Sequence, residues 1–352
     1  MQKKKRIDWV DCAKGITILL VIIGHTVSTD ASNMTRAGIF SFHMTLFFIL
    51  SCVTGKLSEN NDEFVRKAEK NFKHLILPAL LIYFVFLSYI VTKCISEFYS
   101  WEVIKKFIRD SILTLVFSSG VKVHVLSAEI KGLGIPWFLV VMFLGKTLFD
   151  YLHLKLSEKK LLISCLLFSI TGVVISKIQW LPLSFDIVLV IMPIFYIGYI
   201  FKKIQVTYRP VLKFLLFGAG WFVTLYLCYK ANVGCSGYPY MVYASRQYPS
   251  YPFCFIPAIL GTLMIIEISV LLCKIRKVII PLLYLGKHSL GMLIVHALDT
   301  TWIKKLWFIS GNTYINIICR IFVDVGIFAI VMLASELWKK NKYQRIAGEI
   351  VS

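Results

Sequence analysis

Lys14 and His25 are the first residues that suggest chemistry: one basic group and one imidazole in a stretch, RIDWVDCAKGITILLVIIGH (residues 6–25), that is otherwise mostly apolar. Their eleven-residue spacing puts them within about 20° of each other on one face of an α-helix. Their separation along its axis is about 16 Å, around half the hydrocarbon thickness of a bilayer. Such a polar stripe is expensive in lipid and is tolerated where it faces a bundle interior. Histidine, with its near-neutral pKa, is the usual general base for removing a hydroxyl proton, and basic groups suit phosphates. Asp11, one turn before Lys14, is placed to pair with it. The plainer alternative has Lys14 snorkelling to the interface and His25 packing as a polar residue. The stretch alone leaves both readings open.

Composition narrows the setting. Of 352 residues 58% are hydrophobic and only 16% are charged, and the mean hydropathy is +0.74. That is too much apolar surface for a water-soluble core and points to a polytopic membrane protein. A net charge of +20 would suggest nucleic acid in a soluble chain. Here the basic residues cluster in short segments between apolar runs, so orientation in the bilayer and contact with anionic lipid account for them, with no nucleic-acid partner. The first apolar run carries Lys14 and lacks a small-residue cleavage site, so it reads as a signal anchor. The nine cysteines show no zinc or redox spacing.

The hydrophobic pattern predicts an all-α, polytopic helical bundle of about ten transmembrane helices, near 8–27, 39–57, 75–95, 136–152, 161–177, 185–201, 211–229, 255–273, 282–298 and 319–338. It reads as a single membrane-embedded domain over residues 1–352 with no appended soluble domain. No internal pseudo-repeat and no pair of broken helices is apparent. Lysine and arginine concentrate in alternate connections, which places both termini in the cytoplasm and the chain in the inner or plasma membrane as a multi-pass protein.

Two outer connections are long enough to have structure. In 96–135, Trp101, Ile104, Phe107, Ile108 and Ile112 recur at helical spacing opposite Lys105, Lys106 and Arg109, the pattern of an amphipathic helix on the membrane face. Residues 230–256 hold five tyrosines, which read either as an interfacial belt or as a platform for stacking sugars. Cys235 and Cys254 in this loop are either a disulfide or two free thiols.

On this topology the polar residues sort into two layers. His25, His43, Trp137, Asp186 and His296 fall near the outer face. Asp11, Lys14, Lys287 and the basic loop from Arg66 to Lys73 fall near the inner face. The arrangement suits one anionic partner held from the cytoplasm and a second partner approaching from outside.

The motifs DCAKGITILLVIIGHT and FSFHMTLFFILS, followed by HLILPALLIY, IPWFLVVMFLGK, IMPIFYIGYIFKK and LGKHSLGMLIVH, resemble the membrane-bound acyltransferase 3 family. They are most similar to its fucose 4-O-acetylase-like and surface-polysaccharide O-acetyltransferase branch. The resemblance covers essentially the whole chain. It implies an O-acyltransferase, most simply an O-acetyltransferase, moving an acyl group from cytoplasmic acetyl-CoA or another acyl-CoA to a sugar hydroxyl of a cell-surface or lipid-linked glycan. It implies His25 as the essential histidine and general base, and Lys14 as the basic residue that precedes it. The family's FHMP appears as Phe42, His43, Met44 and Thr45, and its LSG as Leu50, Ser51 and Cys52.

Together the residues and the resemblance give a set of expectations. His25 and His43 are the catalytic pair, with His43 holding the acceptor or setting the tautomer of His25. Lys14, Asp11, Lys73 and Lys287 serve the acyl-CoA end, and Asp11 orients Lys14. Trp137, Asp186 and His296 serve the acceptor. No metal and no covalent enzyme intermediate is needed, although Cys12 and Ser28 lie near enough to be nucleophiles. A homo-oligomer is compatible with the sequence. The rival readings are a transporter or exporter of a glycan or acyl group, which would use intramembrane acids such as Glu267 and Asp324, and a non-catalytic scaffold or sensor.

Overall fold

A computed structural model describes residues 6–27, 33–97, 99–125, 128–204, 209–235, 237–302 and 310–351, with the side chains of 128, 276, 278, 299–302 and 339–351 outside the description. Ser28 and the lysines at 3–5 lie outside the described residues. The chain is a helical bundle: α1 (Asp8–Thr26), α2 (Met34–Thr54), α3 (Asn61–Asn71), α4 (Leu77–Ser96), α5 (Trp101–Phe117), α6 (Trp137–Lys155) and α7 (Glu158–Ile178). There follow α8 (Phe185–Val190), α9 (Met192–Ile204), α10 (Pro210–Ala231), α11 (Phe255–Leu272), α12 (Arg276–Lys287), α13 (Ser289–Trp302) and α14 (Thr313–Val351). The described sheet is one short antiparallel hairpin, β1 (Val123–Val125) with β2 (Ala128–Ile130). Eight of the described helices are long and apolar enough to cross a membrane, and two bent pairs bring the number to ten.

Local sequence sets the helix starts. Asp8 and Asp11 occupy the first turn of α1, where carboxylates complement the exposed N–H groups. Asn33 caps α2 by accepting the Arg36 N–H at 2.9 Å, and Asn60 caps α3 by accepting the Glu63 N–H at 2.9 Å. Outward faces are apolar rather than charged: Leu216 and Phe222 of α10 are 61% and 62% exposed, a surface suited to lipid.

α1 lies at the centre, packed against α2, α11, α12, α13 and α14. Two glycines bring its backbone against α12. A Cβ at Gly15 would collide with the Leu282 carbonyl, and one at Gly286 with the Asp11 carbonyl. Close approach of this kind is how helices associate where lipid supplies no hydrophobic drive.

The structure changes three of the expectations about segments. The third span is longer than its apolar run: the helix continues from Asn61 to Ser96 through a π-helical turn at Phe72–Ile76. Arg66, Lys67, Lys70 and Lys73 therefore sit on a helix, not in a loop. Two spans are broken, contrary to the expectation of none: 182–190 and 192–204 meet at 53°, and 279–287 and 289–298 at 75°. Of the tyrosines of 237–254, Tyr240, Tyr243 and Tyr251 are tied into the bundle rather than forming a lipid-facing belt. Tyr240 and Tyr243 are fully buried, the Tyr243 hydroxyl meets Thr45 Oγ1 at 3.0 Å, and Tyr251 donates to Ser169 Oγ at 3.0 Å. The loop is a plug tied into the bundle.

The amphipathic segment is helical over the expected residues. Trp101, Ile108 and Ile112 of α5 are exposed, and Tyr83 of α4 donates to the Ser111 carbonyl at 2.8 Å to hold it. Cys235 is exposed, Cys254 is buried, and both are free thiols.

Sidedness is open to direct measurement. Cys235 is expected to react with a membrane-impermeant maleimide on intact cells, and Cys235→Ser to remove that signal. A cysteine placed at the exposed Asp62 of α3 is expected to react only after the inner face is opened. The opposite pattern would invert the topology.

Candidate active site

A cavity of about 530 Å³ runs beside α1, within the range of small-molecule sites. Lys14 lines one end, and His25 lines the other, one side of α1 serving both. α6 contributes Trp137 and Lys146, and α2 contributes Arg36, Phe40, His43 and Ser51. The walls between the two polar ends are apolar, formed by residues such as Val21, Phe47, Met142 and Leu293.

At the histidine end, four helices meet. The His25 ring packs against Phe40 of α2 (centroids 5.5 Å apart) and against His296 of α13 (5.4 Å). His296 Nδ1 lies 2.9 Å from Asp324 Oδ2 of α14, and both side chains are fully buried. A carboxylate can only accept there, so Nδ1 carries a proton and faces Asp324. His43 Nδ1 likewise donates to the Ile39 carbonyl at 3.0 Å, leaving its Nε2 as the basic nitrogen. The Phe40 ring stands 4.8 Å from the His43 ring and 4.1 Å from the Arg36 guanidinium carbon. Arg36 also donates to the Gly24 carbonyl at 2.9 Å, and Arg320 of α14 to Thr26 Oγ1 at 3.3 Å, so two arginines hold the last turn of α1.

The expected site residues separate clearly. His25, His43, Lys14 and Trp137 line the one cavity, and His296 packs on His25 from behind. The partner of His25 is thus His296, and no hydrogen bond links His43 to His25 among the described residues. Asp11 does not pair with Lys14. Its carboxylate sits 3.3 Å from Arg6 Nε, because Arg6, just before α1, reaches the exposed first turn while the Lys14 stem turns into the cavity. Asp186 does not line the cavity. It is fully buried in an ion pair with Arg246 of the plug, with Nη2–Oδ1 at 2.9 Å, and the same guanidinium lies 3.2 Å above the Trp180 ring. Lys73 and Lys287 are exposed and away from the cavity, although Leu75 of the π-helical turn lines it. Cys12 is fully buried at the Lys14 end, remote from His25.

Four features of the site escaped the sequence reading: Arg36, Lys146, Arg320 and the pairing of Asp324. A signal existed for three of them. Lys146, Arg320 and Asp324 interrupt apolar spans, where an ionisable group faces the bundle interior. Arg36 sits at the very start of α2 and reads from sequence as a connection residue.

A family model described as an acyltransferase domain matches residues 7–336. No curated protein and no solved structure matches the chain.

Proposed function

We propose, from the premise that this chain belongs to the acyltransferase 3 family, that it is an O-acyltransferase using acyl-CoA as donor and a glycan or lipid-linked sugar hydroxyl as acceptor. The acyl group is most simply acetyl. One observation carries this reading: a single cavity has lysines at one end and an imidazole cluster at the other. The donor enters from the Lys14 end, which the charge pattern assigns to the cytoplasm, and its thioester reaches His25. The acceptor arrives at the opposite mouth beside Trp137 and Tyr238.

In this reaction neutral His25 takes the proton of the acceptor hydroxyl as its oxygen attacks the thioester carbonyl. The tetrahedral oxyanion collapses, the C–S bond breaks, and the leaving thiolate of CoA recovers the proton from His25. Atoms and charge balance without a covalent enzyme intermediate. Arg36, over the Phe40 ring that also contacts both cavity histidines, supplies positive charge on the side where the oxyanion forms. Asp324 fixes the His296 tautomer, and His296 in turn buttresses the His25 ring.

The test is acyl-CoA-dependent labelling of a glycan acceptor by the purified protein in vesicles. An enzyme yields an ester on the acceptor, whereas a transporter moves label without covalent change, an outcome that would overturn the reading. Mass spectrometry of surface glycans from cells with and without the protein identifies the acyl group and its position. Asp324→Asn distinguishes the roles of the two packed imidazoles, His25 and His296. With His25 as base, kcat is expected to fall roughly tenfold, short of the ~10²–10⁴ of a lost general base. A fall as large as that of a His25 variant would make His296 the base.

A further inference from the structure

Lys146 belongs to none of the expected site residues, yet it stands midway along α6 and lines the same cavity as Lys14. Both side chains are half-buried. Helical spacing gives each an obvious counter-ion, Asp11 for Lys14 and Asp150 for Lys146. Both carboxylates are committed elsewhere. Asp11 is held by Arg6 at 3.3 Å. Asp150 accepts the Ser58 backbone N–H at 2.7 Å and the Ser58 hydroxyl at 2.6 Å, fastening the connection after α2 to α6. Neither lysine has a hydrogen bond or ion pair to a described residue. Ammonium groups that line a largely apolar channel without a direct partner are costly, and a ligand carrying at least two negative charges removes that cost.

We infer that Lys14 and Lys146 form a two-lysine clamp for the diphosphate of the CoA donor, with Lys146 as a donor-binding residue in its own right. This rests on the acyl-CoA reading above and adds a length to it. Lys14 and His25 are about 16 Å apart along α1, a distance of the same order as an extended phosphopantetheine arm. Gripping the diphosphate at the lysines therefore delivers the thioester to His25. Each ammonium acts as a point charge on a phosphate oxygen. The acyl group itself touches neither lysine.

The experiment compares acetyl-CoA with acetyl-pantetheine, which keeps the thioester and lacks the diphosphate, in wild type, Lys146→Ala and Lys146→Arg. Lys146→Ala is expected to lower kcat/KM for acetyl-CoA about 10–100-fold, mainly through KM, as for the loss of a charged hydrogen-bonding contact. It is expected to leave acetyl-pantetheine unchanged, so that the preference for the full donor shrinks. Lys146→Arg is expected to retain it. Lys14→Ala is expected to show the same donor-selective loss. Equal loss on both donors, or no loss on either, would overturn the clamp. If Lys146→Ala fails to accumulate, Lys146→Met keeps the apolar stem and carries the same test.

Equilibrium binding separates this proposal from the proposed reaction. If wild type forms no ester with either donor, the acyltransferase reading fails. CoA binding that is tighter than pantetheine binding, and weakened selectively in Lys146→Ala, still supports the clamp. Inorganic diphosphate that binds as tightly as CoA would overturn the claim that the site is built for the donor.

Discussion

The His25→Ala variant is expected to accumulate in the membrane at wild-type levels and to lose O-acyl transfer by about 10²–10⁴-fold, the usual contribution of a positioned general base. Accumulation is expected to survive because His25 is half-buried at the wall of a cavity and holds no hydrogen bond to a described residue. Its neighbours Phe40 and His296 are packed by other contacts. The measurement is turnover at saturating acyl-CoA, alongside CoA binding. Binding is expected to stay within about threefold, since Lys14 and Lys146 lie well away from the reacting carbonyl. A variant that retains more than about a tenth of wild-type turnover removes His25 from the role of base.

The second large effect concerns stability. Asp186→Ala leaves the Arg246 guanidinium buried without its carboxylate, a loss of roughly 3–5 kcal/mol. The plug should loosen with it, because Arg246 is its main ionic tie to α8. The sign is checked by repair: pairing Asp186→Leu with Arg246→Met is expected to recover most of the melting temperature, since apolar replacement of a buried pair is often close to neutral. Were Asp186 an acceptor ligand, as its sequence position implies, Asp186→Asn would lower activity while the melting temperature held. The buried pair predicts instead that stability falls first. Thermal scans of detergent-solubilised protein with parallel turnover decide between them.

The architecture was legible because lipid imposes strict rules. Runs such as 211–229 and 255–273 are apolar at spanning length, and helices occupy both. The break at His288 was half legible: Lys287, His288 and His296 mark an unusual span, but no residue spacing gives a 75° bend. The stripe of Lys14 and His25 was legible because helical periodicity alone brings the two to one face. The pairing of His296 with Asp324 was not, because it depends on how α13 and α14 dock. The contact of Asp11 with Arg6 was not legible because local spacing favours Lys14, whereas Arg6 lies in a segment whose path only the fold determines. The ion pair of Asp186 was not legible for a similar reason: its partner is sixty residues away, in a loop without a periodic pattern.

The contacts between α1 and α14 also have a meaning in time. α1 leaves the ribosome some three hundred residues before α14. Yet Arg320 of α14 holds the end of α1 at Thr26, and Asp324 sets the histidine that backs His25. Synthesis proceeds from the N-terminus, so His25 enters the membrane long before its buttress exists. A nascent or stalled chain has the cavity wall without the oriented imidazole pair, and the centre is assembled only when α14 docks against α1. Activity is therefore expected only from chains in which α14 has docked.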